Sequence, residues 1–279
     1  MAKGKPPYSK QTFISLFNSI ARDRHRYTVF SDFAVMAGIA LHNAIPVCRS
    51  EALEKEYLAI AGRYSKAEME SFSELLANLV VLMDVEPRDI LGELCAELEL
   101  GNLKNGQFFT PHEISVLIAK ITFSGVFGRL EKKPFLMAND PACGAGGIIL
   151  AFAGEMIRNK INPAEKLFVQ CIDIDRVMAF MCYVQLSLWN IPAEIIVGNT
   201  LTMEWREVYY TPAYYLWNWD FRLRIQKVMG LFESTPEPEE ASNEAVAVEP
   251  KINTKPQKTK IQTSTSGFQV DLFDFQIDH

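Results

Sequence analysis

From Lys132 onward the chain alternates short apolar runs with helical stretches, and no other feature limits the fold as tightly. Pro134-Phe-Leu-Met-Ala is followed by a glycine turn and the apolar run Ile148 to Ile157. Leu167-Phe-Val-Gln-Cys-Ile leads into Arg176 to Leu188, and Glu194-Ile-Ile-Val comes next. Strand, helix, strand, helix, strand predicts an α/β fold: a parallel sheet joined by crossover helices.

Upstream, residues 1–104 read as a helical N-terminal region. Phe13, Leu16, Phe17 and Ile20 recur at the three/four spacing that lines one helix face with apolar side chains. Similar patterns occupy 31–44, 51–63 and 67–83, then Asp89-Ile-Leu-Gly-Glu-Leu-Cys-Ala-Glu-Leu, with Pro46 and Pro87 as punctuation. Together they predict a small helical bundle packed on the α/β part of the chain. Arg22, Arg24, His25 and Arg26 form either the solvated face of a helix or a phosphate contact. Beyond Phe232 the chain runs Ser-Thr-Pro-Glu-Pro-Glu-Glu and then turns to lysine, threonine and serine, with too little apolar surface to offset the entropy of ordering. The expected organisation is a helical region (1–104), an α/β domain (105–232) and a disordered acidic tail (233–279).

Charge sharpens that division. Of the net −6 carried by 279 residues, the tail from Glu233 holds −5, nine acids against four lysines, and the body −1. A nearly neutral body excludes a strongly basic protein that holds nucleic acid by charge alone. No apolar run reaches the ~18 residues of a membrane span. The longest, Met178 to Ile191, is broken by Gln185 and Ser187. The N-terminus lacks the apolar stretch of a signal peptide. Cys48, Cys95, Cys143, Cys171 and Cys182 are odd in number and never spaced as Cys-x-x-Cys. That pattern predicts neither a disulfide framework nor a metal site, and places the chain in the reducing cytoplasm.

The stretch Asn139-Asp140-Pro141-Ala142-Cys143-Gly144-Ala145-Gly146-Gly147 sits between a strand and a helix. Glycines there let the backbone approach a ligand and present amides near a helix N-terminus. A dinucleotide loop would carry a third glycine where Ile149 stands, and a P-loop would carry Gly-Lys-Ser/Thr, so neither motif applies. Gly106-Gln107-Phe108-Phe109-Thr110-Pro111 precedes the turn. The next strand ends in Cys171-Ile172-Asp173-Ile174-Asp175, where a carboxylate suits ribose hydroxyls, and the third ends in Gly198-Asn199-Thr200. An acid and glycine turn, a second acid and an amide at three successive strand ends describe a nucleoside-like ligand site.

These residues resemble the N6-adenine DNA methyltransferases, especially the modification subunits of type I restriction–modification systems. The family signature pairs Gly-Gln-Phe-(Phe/Tyr)-Thr-Pro with Asp-Pro-x-Cys-Gly-(Ser/Ala)-Gly-Gly. Both stand here in the same order behind a helical region, and the resemblance spans residues 85 to 215 or so. It implies a methyltransferase-like (Rossmann-like) sheet, S-adenosylmethionine (SAM) as cofactor and adenine in DNA as substrate. It also implies roles for single residues. Phe109, Thr110 and Pro111 would line the methionine end, Asp140 would hold its ammonium, and Gly144 and Gly146 would shape the turn. Asp173 would take the ribose. Asn199 stands where the family has an acid reading the adenine amine, and keeps an acceptor oxygen.

The family's catalytic tetrapeptide, Asn-Pro-Pro-(Tyr/Phe/Trp), is absent. Thr211-Pro212-Ala213-Tyr214 is the nearest match, after the strand-like Val208-Tyr209-Tyr210, which makes Thr211, Pro212 and Tyr214 the expected catalytic element in degenerate form. Losing the amide acceptor costs on the order of a hundredfold in rate. Only 18 residues separate Tyr214 from Glu233, too few for the remaining strands of a full methyltransferase sheet. An incomplete sheet is therefore expected, with a second protein subunit completing the site. Residues 205–221 hold eight aromatics with Arg206, Arg222, Arg224 and Lys227 among or beside them. They cap the sheet, meet a partner or form a stacking platform for single-stranded DNA.

Within the tail, Gln269-Val270-Asp271-Leu272-Phe273 resembles the short peptide by which bacterial proteins dock on the replication sliding clamp. Leu272 and Phe273 would enter an apolar pocket and Gln269 would fix register. Residues 233–267 would act as a tether with a root-mean-square reach of ~30–35 Å. Two functions are compatible with these features: a SAM-dependent methyltransferase acting on DNA adenine, or an adaptor that keeps the fold and works through its tail.

Overall fold

The computed structural model describes residues 8–100 and 109–233, with side chains as far as Met229. Residues from Tyr8 to Asp220 belong to one compact unit and those from Phe221 to a second. In chain order the first unit opens with α1 (Lys10–Phe17), α2 (Arg26–Asn43), α3 (Glu51–Ala61), α4 (Lys66–Met83) and α5 (Ile90–Glu97). Side chains start several of these helices by accepting orphan backbone N–H groups: Ser9 caps α1, Ser50 caps α3, and Ser65 with Glu68 forms a capping box on α4. Helix α2 is apolar all round because it is central. Phe30, Phe33 and Ile39 are fully enclosed, and its buried Asp32 accepts the Tyr64 hydroxyl at 2.7 Å. Arg24 lies over the Tyr64 ring and donates to the Arg63 carbonyl, and Arg26 donates to Asn18, so two of the four clustered basic residues serve the fold.

The second half continues with α6 (His112–Phe123), α7 (Val126–Lys132), β1 (Leu136–Asp140), α8 (Gly147–Arg158), α9 (Pro163–Lys166), β2 (Leu167–Asp173) and α10 (Arg176–Leu188). Then come β3 (Ala193–Asn199), β4 (Glu204–Tyr210), α11 (Pro212–Leu216) and α12 (Trp219–Glu233), the last beginning at the end of the first unit. The sheet order is β1-β2-β3-β4. The first three strands are parallel, as the alternating pattern predicts, but β4 runs antiparallel to β3. The reason is connection length: only four residues, Thr200 to Met203, join the two, and a parallel neighbour needs a crossover of roughly a dozen.

Alternation gives the sheet two unlike faces. Leu136, Ala138, Leu167, Val169, Ala193, Ile195 and Val197 point to one core shared with α2, α8 and α10. That core is continuous from Phe13 to Tyr209, so the helical region and the sheet are one hydrophobic body. The opposite face carries a polar row in strict register. Asn139 of β1 donates to Gln170 of β2 at 2.6 Å, Gln170 donates to Glu194 of β3 at 2.7 Å, and Tyr210 of β4 donates to Glu194 at 2.6 Å. Beside it Trp219 is fully buried, stacked on Phe168 and edge-on to Phe135, with its indole N–H on the Ala164 carbonyl at 2.9 Å. Much of the aromatic cluster is thus consumed by the fold: Trp219, Tyr209 and Tyr214 are buried, while Trp205 and Phe221 are exposed. None of the helices among the described residues is long and apolar enough to cross a membrane.

Candidate functional site

Three strands end at one rim of the sheet, with a polar side chain at each end. Asp140 closes β1, Asp173 closes β2 and Asn199 closes β3. Between β1 and α8 the chain makes its turn. The Cys143 N–H bonds the Ile172 carbonyl at 2.9 Å, and the Gly144 N–H bonds an Asp173 carboxylate oxygen at 2.8 Å. Both Gly144 (φ 53°) and Gly146 (φ 88°) lie in the left-handed region. Their needs differ. A side chain at Gly146 would stand 2.8 Å from the Cys182 sulfur, whereas one at Gly144 would meet nothing within 4 Å. Gly146 is therefore required by packing, and Gly144 by backbone conformation at the open mouth.

Asp173 keeps its orientation through its two backbone donors, Gly144 N–H and Asp175 N–H at 2.8 Å each. Each of its oxygens retains a lone pair for a ligand hydroxyl. Asp140 is only 8% exposed and receives a single backbone N–H, from Ala142 at 3.2 Å. Burial, followed by the charges of Cys171 and Asp173, pushes its carboxyl up to about 7. Cys171 itself is held below the ordinary thiol value because Cys143 and Cys182 hydrogen-bond to it. Burial also raises Asp173. At β3, the Asn199 oxygen accepts from Leu201 N–H at 3.0 Å, and Thr200 ties this corner to the turn through the Pro141 carbonyl at 2.7 Å.

On the other flank of the turn, Phe109, Thr110 and Pro111 share a cleft of about 210 Å³ with Asp89, Ser115 and Gly147. The structure thus brings 109–111 to the N-terminus of α8, beside the turn that carries Asp140, Gly144 and Gly146. Gly106, Gln107 and Phe108 lie outside the described residues, as do Gln269, Leu272, Phe273 and the tether.

The degenerate catalytic element is not brought to this rim. Because β4 is antiparallel, Thr211 follows it at the N-terminal end of β3, six residues or about 20 Å along the strand from Asn199. Thr211 is fully buried there, its hydroxyl donating to the Ile191 carbonyl at 2.8 Å and accepting from Ala193 N–H at 2.9 Å. Pro212 begins α11, and Tyr214 stacks on Tyr210 with ring centroids 4.3 Å apart. Thr211, Pro212 and Tyr214 thus lie at the opposite end of the strands from Asp140, Asp173 and Asn199.

One supporting residue carries no motif. Gln185 of α10 is fully buried; its amide donates to the Ala145 carbonyl at 2.9 Å and to Asp89 at 2.8 Å, and its oxygen accepts from Leu91 N–H at 3.0 Å. It fastens the turn to α5. Its one trace in the sequence is that it interrupts an otherwise apolar run, as a buried amide with three partners does.

Comparison with known proteins gives three findings. No curated protein sequence matches the chain. Among solved structures, the chain is similar to a protein of Listeria monocytogenes assigned to the class I SAM-dependent methyltransferases, at 13% identity and a TM-score of 0.38. That alignment covers 66% of this chain and 51% of the other, so the chain spans about half of that protein's length. The model of the N-6 DNA methylase family matches residues 90–245, more than half of the sequence and all of the strand-end turn. The chain belongs to the N-6 DNA methylase family.

Proposed function

We propose that the strand-end turn binds SAM and that the chain is the cofactor-holding component of adenine-N6 methylation on DNA. The observation that carries this reading is the pair of acids at the mouth. Asp140 and Asp173 flank the open Gly144, and neither is ion-paired with another described residue. Two acids without a cationic side chain paired to them offer nothing to the phosphates of a dinucleotide and suit a nucleoside that is itself cationic, whose charge favours their ionised form. SAM carries a sulfonium and an ammonium against one carboxylate, and when bound it supplies an electrophilic methyl group.

The side chains fit that ligand by position. Asp173, fixed by two backbone donors, has lone pairs left for two ribose hydroxyls. Asp140 offers a carboxylate to the ammonium, an interaction that would return its raised pKa toward the ordinary value. Phe109, Thr110 and Pro111 would wall the methionine end, and Asn199 would face the adenine. With Thr211 spent on β3, the acceptor for the target amine would come from a partner subunit.

Calorimetry with SAM tests the first half, and transfer of a labelled methyl group to adenine-containing DNA tests the second. Binding that is lost in Asp173→Ala supports the site, and no binding even at millimolar SAM would overturn it. The buried Thr211 also favours a second reading, an adaptor that binds SAM without transferring it. Transfer by this chain alone would exclude the adaptor.

A further inference from the structure

Three of the five cysteines, far apart in sequence, meet directly behind the turn. Cys143 comes from the turn itself, Cys171 from the middle of β2 and Cys182 from α10. Their sulfurs all lie within 4.8 Å of one another, and the residues are 6%, 0% and 0% exposed. Buried free cysteines are common as small apolar residues. Three sulfurs converging on a single point from three separate elements are a different arrangement, because each element must direct its side chain there independently.

We propose that Cys143, Cys171 and Cys182 form a thiolate site for a soft d10 cation, Zn²⁺ or Cu⁺. The geometry is close to what such an ion requires. Zinc–sulfur bonds of ~2.3 Å in a tetrahedral arrangement set the sulfurs ~3.8 Å apart. Closing to that spacing takes shifts of about 1 Å or less, within reach of small side-chain rotations. The donor set is all sulfur, which selects thiophilic metals over Mg²⁺, Ca²⁺ or Mn²⁺. Cu⁺ is satisfied by three thiolates in a plane, whereas Zn²⁺ would take water as a fourth ligand from the turn side. Pro141 and Ala142 are exposed and Gly144 borders open space, so the turn is also the way in. Binding displaces thiol protons, up to three per ion, which leave to solvent.

The position gives the site a consequence. Cys143 belongs to the turn, and Cys182 packs under Gly146, so a bound ion would clamp the turn to β2 and α10 at once. None of this depends on SAM, and the test involves no cofactor.

The reduced, chelator-stripped full chain is titrated with Zn²⁺ in one arm and with Cu⁺ under reductant in another. Bound metal is counted by elemental mass spectrometry after gel filtration, and thiolate-to-metal absorption is followed in the ultraviolet. The expected result in at least one arm is one ion per chain, with affinity weakened at least tenfold by Cys171→Ser or Cys182→Ser and unchanged by Cys48→Ser. Alkylation of the unmodified chain in moderate urea, where buried thiols open transiently, covers the case in which a variant fails to fold: relative to the metal-free chain, the ion should slow modification of Cys143, Cys171 and Cys182 more than that of the equally buried Cys95 and leave the rate at Cys48 unchanged. Stoichiometric binding in neither arm, protection of a different set of cysteines, or an equal loss in Cys48→Ser would overturn the proposal.

Discussion

Asp140→Asn is predicted to stabilise the ligand-free protein while weakening SAM binding. In the native fold the Asp140 carboxyl takes up its proton at about 7, against 3.8 ordinarily, with burial as the first cause. The folded state therefore holds a proton that the unfolded chain has released between those two values. Stability falls as pH rises through that window, and the whole penalty is present above it. At about 1.4 kcal/mol per pH unit, the gap amounts to as much as about 4 kcal/mol, of which about 2 kcal/mol accrues between pH 5.5 and 8.5. Asparagine keeps the shape and the acceptor for Ala142 N–H but cannot ionise. Urea unfolding of both proteins at pH 5.5 and 8.5 gives the comparison. The variant's advantage should grow by about 2 kcal/mol at the higher pH. An advantage equal at both pH values, or a variant less stable at pH 8.5, would refute the reasoning. SAM calorimetry on the same samples should show the opposite trend, because the ammonium loses its carboxylate.

Other perturbations separate the fold from the site. Gln185→Leu leaves the Leu91 N–H and the Ala145 carbonyl without their partner, and should lower unfolding free energy by about 2–4 kcal/mol together with SAM affinity. Thr211→Val removes two buried hydrogen bonds and should cost about 1–3 kcal/mol, while SAM affinity of the folded protein stays as in the wild type; a selective loss of binding would return Thr211 to the site. Trp219→Ala should cost about 3–5 kcal/mol by emptying the pocket against Phe135 and Phe168, read as a lowered denaturant midpoint. A peptide of residues 264–279 is expected to bind the bacterial sliding clamp, with binding lost when Leu272 and Phe273 are both changed to alanine. No binding at high micromolar peptide would dismiss the tail as a docking element.

What could be read from the sequence was local. The strand–helix alternation gave β1, α8, β2, α10 and β3 almost residue by residue, because each is a short apolar run bounded by its own caps and turns. Asp140, Asp173 and Asn199 were legible for the same reason, since strand ends in parallel units fall at one rim. The direction of β4 is a point that the strand–helix alternation leaves open. The four-residue connection already excludes a parallel strand, and it puts Thr211-Pro-Ala-Tyr at the opposite end of the strands from Asp140, Asp173 and Asn199. Pairings decided by tertiary packing left no spacing signal. The cysteine spacing gave no hint that Cys143, Cys171 and Cys182 converge, and Gln185 showed only as a polar break in an apolar run.

The row of Asn139, Gln170, Glu194 and Tyr210 has a consequence for what this sheet tolerates. Its donors run inward from both edges to one acid that is 4% exposed, and each acid oxygen has one taker. A strand displaced by one residue would turn its member of the row toward the apolar core, and a slip of β2 or β4 would strip a hydrogen-bond donor from the buried Glu194 side chain. Apolar neighbours can rearrange around such a slip, but a buried carboxylate cannot. The row thus works as an alignment gauge: an insertion or deletion inside any one of the four strands should be rejected at folding, whereas the loops at either end stay free to vary in length.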